Sequence, residues 1–386
     1  MKIKSANIYL IKSGYVNPII VELVTDDGTT GIGEAAIAYG LGSTAAAGMI
    51  KDITERLILG RDPFRIEELW SEMYDMSFWA KGGGAITFAG ISAIEQALWD
   101  IKGKAIGIPV YEFFGGKIFD KVPVYANGWN YHCLGASEWA QAAARPIEDG
   151  YKALKCYPLA TQDYLGRLKH VTRRAHDKEF TELAYQRVKK LVEFVGSDVE
   201  IMLDLSGGLT TDETIRLCQR YEDLGITWLE EPCDAFDVGA LKRIADSTKM
   251  SIAAGERLYT RYGFRKVMEP QTVDIVQPDI GNTGGLMETK KIAAMAEAYN
   301  LRVAPHNCAS TLCTAGTLQV SVTLANFMTL EIYPYFSDAK NYVQVLENPP
   351  EARIKGGWLE VEDKPGLGVT LASENVKPFL WAKCEA

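Results

Sequence analysis

No stretch of this chain approaches the roughly 20 consecutive apolar residues of a membrane span, so no membrane association is expected. The N-terminal run MKIKSANIYLIK alternates as a strand does and lacks the apolar core and cleavage site of a secretory leader. The seven cysteines, Cys133, Cys156, Cys218, Cys233, Cys308, Cys313 and Cys384, are odd in number and contain no CxxC pair. Neither a disulfide framework nor a zinc ribbon is expected, and a reducing cytoplasm fits best. An excess of positive charge is also missing. Forty-one Lys and Arg against 50 Asp and Glu leave a net charge of −9, which makes a polyanion such as nucleic acid an unsuitable partner. No GxGxxG follows a first strand, so the dinucleotide-binding signature is absent. Histidine is scarce, limited to His132, His170, His176 and His306.

What is present divides into two kinds of pattern. Lys2–Ile11 alternates, Pro18–Val24 is rich in β-branched residues, and Thr30–Glu34 resumes after the turn Asp26-Asp27-Gly28, which together predict a three-stranded meander. From Ser43 to Gly107 the apolar spacing becomes helical, giving an α+β unit over residues 1–121. After Val122, short apolar runs alternate with helical periods. Strands are expected at Ala153–Tyr157, Ile201–Leu205, Thr227–Glu230, Ile252–Glu256, Asp274–Gln277, Arg302–His306 and Met328–Glu331, and helices at Phe180–Val195 and Leu286–Tyr299. Seven βα repeats favour a closed parallel barrel over an open sheet; it is assigned to 122–337. Residues 338–386 lose the alternation and are expected to return to the first unit. Pro158–Glu179 is too long for an ordinary βα loop. It holds Arg167, Lys169, Arg173, Arg174 and Lys178 against Asp163, Asp177 and Glu179, as either a solvated insertion or a lid or subunit contact over an anionic site.

The strand ends carry the chemistry. In parallel barrels, functional groups gather where strands end and loops open. Those ends here are Lys155 and Tyr157, Asp204, Glu230 with Glu231, Glu256, Asp279, His306 and Glu331. Asp204, Glu230 and Glu256 follow one another at equal intervals of 26 residues, which puts three carboxylates on neighbouring strands around one mouth. Such a group repels itself unless a cation holds it, and oxygen-only ligands suit Mg²⁺. The bland alternative is that these acids merely cap the following helices. Glu231 is ambiguous, because adjacent side chains on a strand point to opposite faces. Asp279 and His306 end the next two strands, and a carboxylate beside an imidazole makes a general base. Glu331, if protonated, can donate a hydrogen bond. Lys155 and Tyr157 face the same side of their strand and can each transfer a proton, unless both are packing residues.

In motif and order the chain resembles the mandelate racemase subgroup of the enolase superfamily. The residues that carry the resemblance are Ala97-Leu-Trp-Asp-Ile-Lys-Gly-Lys104, Leu229-Glu-Glu-Pro232, Gly255-Glu-Arg257, Gln277-Pro-Asp279 with Gly284-Gly285, Ala304-Pro-His306 and Lys364-Pro-Gly-Leu-Gly368. The resemblance implies a modified (β/α)7β TIM-type barrel with an N-terminal α+β capping domain completed by the C-terminal segment. It implies Mg²⁺ on Asp204, Glu230 and Glu256, a catalytic dyad of His306 with Asp279, and Glu331 as the acid that stabilises an enediolate. Gly255–Thr260, Asn282–Gly285, Ala296–Tyr299 and Val122–Trp129 look closest to galactonate- and gluconate-dehydratase-like members. Two departures stand out. The subgroup often carries Lys-x-Lys where this chain has Lys155-Cys156-Tyr157, and galactonate-type members carry a histidine where this chain has Ser206.

The expected activity is a Mg²⁺-dependent hydro-lyase acting on a small sugar acid, an aldonate or aldarate, and giving a 2-keto-3-deoxy acid. A racemase, epimerase or cycloisomerase working through the same enediolate is the alternative, and a non-catalytic sugar-acid-binding protein a third. Asn17, Tyr39, Trp79 and Lys81 are candidates for reading substrate hydroxyls. A homo-oligomer is expected, since symmetric assemblies are common.

Overall fold

The computed structural model describes residues 1–162, 168, 169, 171 and 176–386. Strands β1 (Ile3–Leu10), β2 (Ile19–Thr25) and β3 (Thr30–Ala35) pair antiparallel in chain order. Helices α1 (Ser43–Ile53), α2 (Ile66–Met76) and α3 (Ala85–Ile106) follow. Every residue of α3 from Phe88 to Ile101 is buried, because one side lies on β3 and the other meets the second half of the chain. Glycine makes the first contact possible. A Cβ on Gly31 would lie 2.1 Å from the Ala97 carbonyl oxygen, and one on Gly33 would lie 1.9 Å from that of Ala93. Any side chain at either position would push the helix off the sheet.

The second half contributes β4 (Lys121–Ala126), β5 (Ala153–Cys156), a short antiparallel pair β6 (Thr161–Gln162) and β7 (Leu168–Lys169), β8 (Glu200–Asp204) and β9 (Trp228–Glu230). After these come β10 (Ile252–Ala254), β11 (Ile275–Val276), β12 (Arg302–Val303) and β13 (Leu330–Ile332). Parallel pairing runs β4-β5-β8-β9-β10-β11-β12. The ring closes because β13 pairs with β4 and Phe327, just before β13, bridges Val303. The result is an eight-stranded parallel barrel. Its first strand is β4, whereas the sequence pattern starts the strand series at Ala153. Several strands also stop earlier than their apolar runs. At β10, for instance, Gly255 takes φ +150° and turns the chain before Glu256.

Tyr125, Met202, Trp228, Ala253, Ile275 and Ala304 form a separate buried cluster, one residue from each of six strand regions. It is the apolar plug of the barrel, with Tyr125 and Trp228 edge-to-face at 5.5 Å. Outside the ring, helix Lys178–Val195 starts where Asp177 accepts the Phe180 N–H at 2.8 Å, and it buries Ala184, Val188 and Leu191. The C-terminal segment returns in two places. Strand β14 (Ile354–Lys355) pairs with β15 (Trp358–Glu360), which lies antiparallel on β4, and β16 (Leu380–Glu385) joins β1 as the fourth strand of the first sheet.

Of the charged residues noted in Pro158–Glu179, Asp163, Arg167, Arg173 and Arg174 lie outside the described residues. Lys169 belongs to β7, while Lys178 and Glu179 open the helix that Asp177 caps. Among the described residues, no helix is long and apolar enough to cross a membrane.

Two buried acids of the first unit reach into the barrel. Glu34 accepts the N–H groups of Ser310 and Cys313, each at 3.0 Å, and the Ser310 hydroxyl at 2.6 Å. Glu95 accepts the N–H groups of Leu286 and Met287 at 2.7 and 2.9 Å. Each satisfies the open amides at the start of a barrel helix, Thr311–Ser321 and Leu286–Ala298 respectively.

Candidate active site

Asp204 and Glu230 are the last residues of β8 and β9, and Glu256 lies just past β10. Each can offer one carboxylate oxygen within 4.8 Å of the others. The set fits a hard divalent ion, being all oxygen, negatively charged and convergent. Asp204 is pushed above its ordinary range by burial and the nearby Glu256 carboxylate, against the charges of Lys155 and Arg257. Its only hydrogen-bond donors among the described residues come from Ser206, the N–H at 2.7 Å and the hydroxyl at 3.1 Å to each oxygen. Ser206 holds that geometry in the left-handed region, at φ +46°. Glu230 accepts from Lys155 Nζ at 2.6 Å and from Trp228 Nε1 at 3.2 Å. Glu231, at φ +43°, turns the other way. It accepts from the Gly255 N–H at 3.2 Å and from Arg257 at 3.0 Å, and so lies apart from the three.

The imidazole of His306 stands between two acids. Nδ1 lies 2.7 Å from Asp279 Oδ2, and Nε2 lies 3.0 Å from Glu256 Oε2. Burial works against a charged ring, but Glu256, Glu331 and the Asp279 hydrogen bond outweigh it and hold His306 well above its ordinary value. Across the ring of strands, Lys155 is 1% exposed and sits between Glu230 Oε1 at 2.6 Å and Glu331 Oε1 at 2.9 Å. These two carboxylates overcome the desolvation of the ammonium and keep it protonated. Glu331 also accepts from Asn127 Nδ2 at 2.7 Å and from the Asn307 N–H at 3.0 Å. Burial opposes its charge, yet Lys155 and His306 hold it below the usual carboxylate range. In this state Glu331 is an ionised acceptor, not the hydrogen-bond donor that protonation would make it.

These groups surround a cavity of about 170 Å³. Lys155, Tyr157, Asp204, Glu256 and His306 line it, while Glu230, Asp279 and Glu331 stand behind them. Tyr157 takes part in one wall, its hydroxyl accepting the Val171 N–H at 3.2 Å. Sequence reasoning missed Asn127, Tyr131, Arg257, Cys308 and Tyr333, which also line the cavity. Arg257 follows directly on Glu256 and bridges it to Glu231, so its neighbour in the sequence was the available signal. Asn127, Tyr131, Cys308 and Tyr333 carried none. Of the four residues considered for substrate hydroxyls, Tyr39 lines this cavity, together with Ala36. Asn17 and Lys81 line other depressions, and the Lys81 ammonium is paired with Asp75 at 2.7 Å. Trp79 is 77% exposed.

Residues 12–115 match the family model described as "Mandelate racemase / muconate lactonizing enzyme, N-terminal domain", and residues 138–376 match "Enolase C-terminal domain-like". A D-galactonate dehydratase of Variovorax paradoxus is 34% identical over 97% of this chain and 94% of its own length. A D-xylonate dehydratase of Haloferax volcanii is 31% identical over 94% of this chain and 85% of its own. Among solved structures, a protein from Mesorhizobium loti is 59% identical and covers both chains fully at a TM-score of 0.97. A member of the enolase superfamily from Salmonella Typhimurium is 33% identical, with a TM-score of 0.92 over 100% of this chain and 99% of that one.

Proposed function

The chain belongs to the mandelate racemase/muconate lactonizing enzyme family of the enolase superfamily, and from that premise we propose that it is a sugar-acid dehydratase. The observation that carries the reading is the His306–Asp279 pair opening onto the same cavity as Asp204 and Glu256. Asp204, Glu230 and Glu256 would hold Mg²⁺. Bound there, the ion would supply a Lewis acid that offsets the charge growing on a substrate carboxylate as its α-carbon loses a proton.

His306 is the base of this reading. Asp279 engages Nδ1 and fixes the ring. Nε2, which faces Glu256 Oε2 at 3.0 Å, is the nitrogen that would take the α-proton from the neutral ring, with Glu256 engaged as a metal ligand instead. Lys155 and the donors around Glu331 form a fixed polar floor beneath the developing enediolate. As the C–O bond at the β-carbon breaks, its electrons leave with the hydroxyl, which takes a proton to depart as water. We assign that proton to Tyr157. The Ser206 hydroxyl donates to Asp204, and Tyr157 lines the cavity on the neighbouring strand end. The enol product then ketonises to a 2-keto-3-deoxy acid.

Epimerisation needs a second base ready on the opposite face. Lys155, the opposite-face candidate, has its ammonium tied to two carboxylates, which keeps its proton from returning to the α-carbon and favours elimination over reprotonation. Incubating the protein and Mg²⁺ with a panel of aldonates and aldarates tests the reading. A semicarbazide-reactive keto acid from at least one panel member is expected. Solvent deuterium gained without loss of water would move the protein to the epimerases, and ligand binding without any turnover would move it to the binding proteins.

A further inference from the structure

A second cavity, of about 180 Å³, lies where the loop around Ser13, the start of helix Thr311–Ser321 and the segment Tyr342–Glu351 meet. Three oxygens on its lining residues are shut off from solvent and meet no donor among the described residues: Asn307 Oδ1, Thr311 Oγ1 and Glu351 Oε2. Buried polar atoms without a partner are rare and call for an explanation. Asn307 is only 3% exposed. Its amide nitrogen donates to Thr314 Oγ1 at 2.8 Å, so the orphaned atom is the one end of that side chain with nothing to accept from.

The chemistry of the lining restricts the occupant. An amide oxygen cannot donate and an ionised carboxylate cannot either, while the Thr311 hydroxyl can do both, so two of the three oxygens are satisfied only by an occupant that brings protons or positive charge. No Lys, Arg or His is among the lining residues. Arg353, nearest in sequence to Glu351, pairs with Glu362 at 3.0 Å. The helix start does not convert the cavity into an anion site, because Glu34 from the first unit already takes the Ser310 and Cys313 amides. A single carboxylate among neutral oxygens matches one positive charge better than two. Phe336 and Tyr342 add ring surface, which favours a cation further.

We propose that this cavity binds a small monovalent cation, an alkali-metal ion or ammonium, with its waters, on Asn307, Thr311 and Glu351. Burial holds the Glu351 carboxyl above its ordinary value, against a hydrogen bond with Thr314 and the charge of Arg353. The site borders the catalytic cavity: Tyr333 lines both, and Asn307, which follows His306 directly, donates its N–H to Glu331 Oε2 at 3.0 Å. Occupancy therefore stiffens the loop that carries His306. The inference does not depend on the dehydratase reading.

The test is thermal unfolding of the Mg²⁺-loaded protein in KCl, NaCl, NH₄Cl and tetraethylammonium chloride at equal ionic strength. A saturable rise in Tm of several degrees is expected with at least one small cation, following the linkage between a bound ligand and the folded state. It should be missing with tetraethylammonium, which is too bulky to reach the three oxygens. Glu351→Gln should flatten the response while leaving the Mg²⁺ dependence intact, and Tl⁺ soaked into crystals should give an anomalous peak beside Asn307 Oδ1. Should Glu351→Gln fail to fold, Thr311→Val and the Tl⁺ peak decide the matter. Equal Tm values in all four salts, an undiminished response in Glu351→Gln, or a cavity holding only water after the Tl⁺ soak would each overturn the proposal. None of these readouts needs a substrate, so they stand apart from any failure of the dehydratase reading.

Discussion

Lys155 Nζ lies 2.6 Å from Glu230 Oε1, and neither side chain is more than 1% exposed. The pair joins the first strand end that carries a proton-transfer candidate to the middle of the metal-binding set. Removing one partner of a buried pair typically costs about 3–5 kcal/mol. Lys155→Met should therefore destabilise the metal-free protein by about that amount, as read from urea unfolding. Lys155→Arg should recover only part of it, because a planar fork cannot copy a point charge held between two acids. Wild-type stability in Lys155→Met would remove the pair from the description.

Metal-ligand substitutions should divide by sign. Among the described residues no cationic side chain is bonded to Asp204, whereas Glu230 balances Lys155 and Glu256 balances Arg257. All three amide variants should bind Mg²⁺ more weakly by calorimetry. Without metal, Asp204→Asn should be more stable than the parent, because it relieves repulsion and uncovers no cation. Glu230→Gln should be less stable. If the three variants bind Mg²⁺ as the parent does, the metal assignment is wrong.

His306→Asn and Asp279→Asn should each lower turnover by about 10²–10⁴-fold. The double variant should be little worse than the worse single, as for groups that share one task. Tyr157→Phe separates the two halves of the reaction. It should still exchange the substrate α-proton with D₂O while forming little keto acid. If exchange survives in His306→Asn and is lost in Tyr157→Phe, the two roles are reversed.

Stability should fall with rising pH between about 4.5 and 7. Burial pushes Glu34 and Glu95 each up to about 7, from an ordinary value of 4.5. In that window the folded protein binds protons that the unfolded chain has released, so the share of these two acids in the slope of stability against pH is negative and is complete above about 7. Each acid contributes at most on the order of 3 kcal/mol of this fall. In the metal-free protein His306 adds to it with the same sign. Its value is raised, so its contribution is full below about 6.5 and is lost as pH climbs through the folded value. Glu34→Gln and Glu95→Gln should flatten the profile measured by denaturant titration, and an unchanged slope in both would refute the assignment.

Much of the site was legible because barrel strands end in register. The interval of 26 residues between Asp204, Glu230 and Glu256 is a period of the fold, and periods are visible in a string of letters. The first barrel strand was harder to read. Lys121–Ala126 contains Pro123 and ends next to Asn127, which gives no ionisable marker, although it pairs with both β5 and β13 and closes the ring. Glu231 differs from Glu230 only through its left-handed backbone, which no side-chain pattern encodes. The bonds from Glu34 and Glu95 span about 190 to 280 residues of sequence. A link of that length leaves no local trace.

Those two acids also limit how the chain can be recombined. A cap grafted from a relative would have to bring carboxylates at 34 and 95. The recipient barrel would have to keep Gly285, where a Cβ would come within 2.1 Å of Glu95 Oε2. A mismatched graft would bury a carboxylate facing nothing and leave a helix start uncapped, even where every side chain touching the substrate was preserved. Specificity loops can be exchanged on this scaffold one at a time, but the cap and the barrel can be inherited only together.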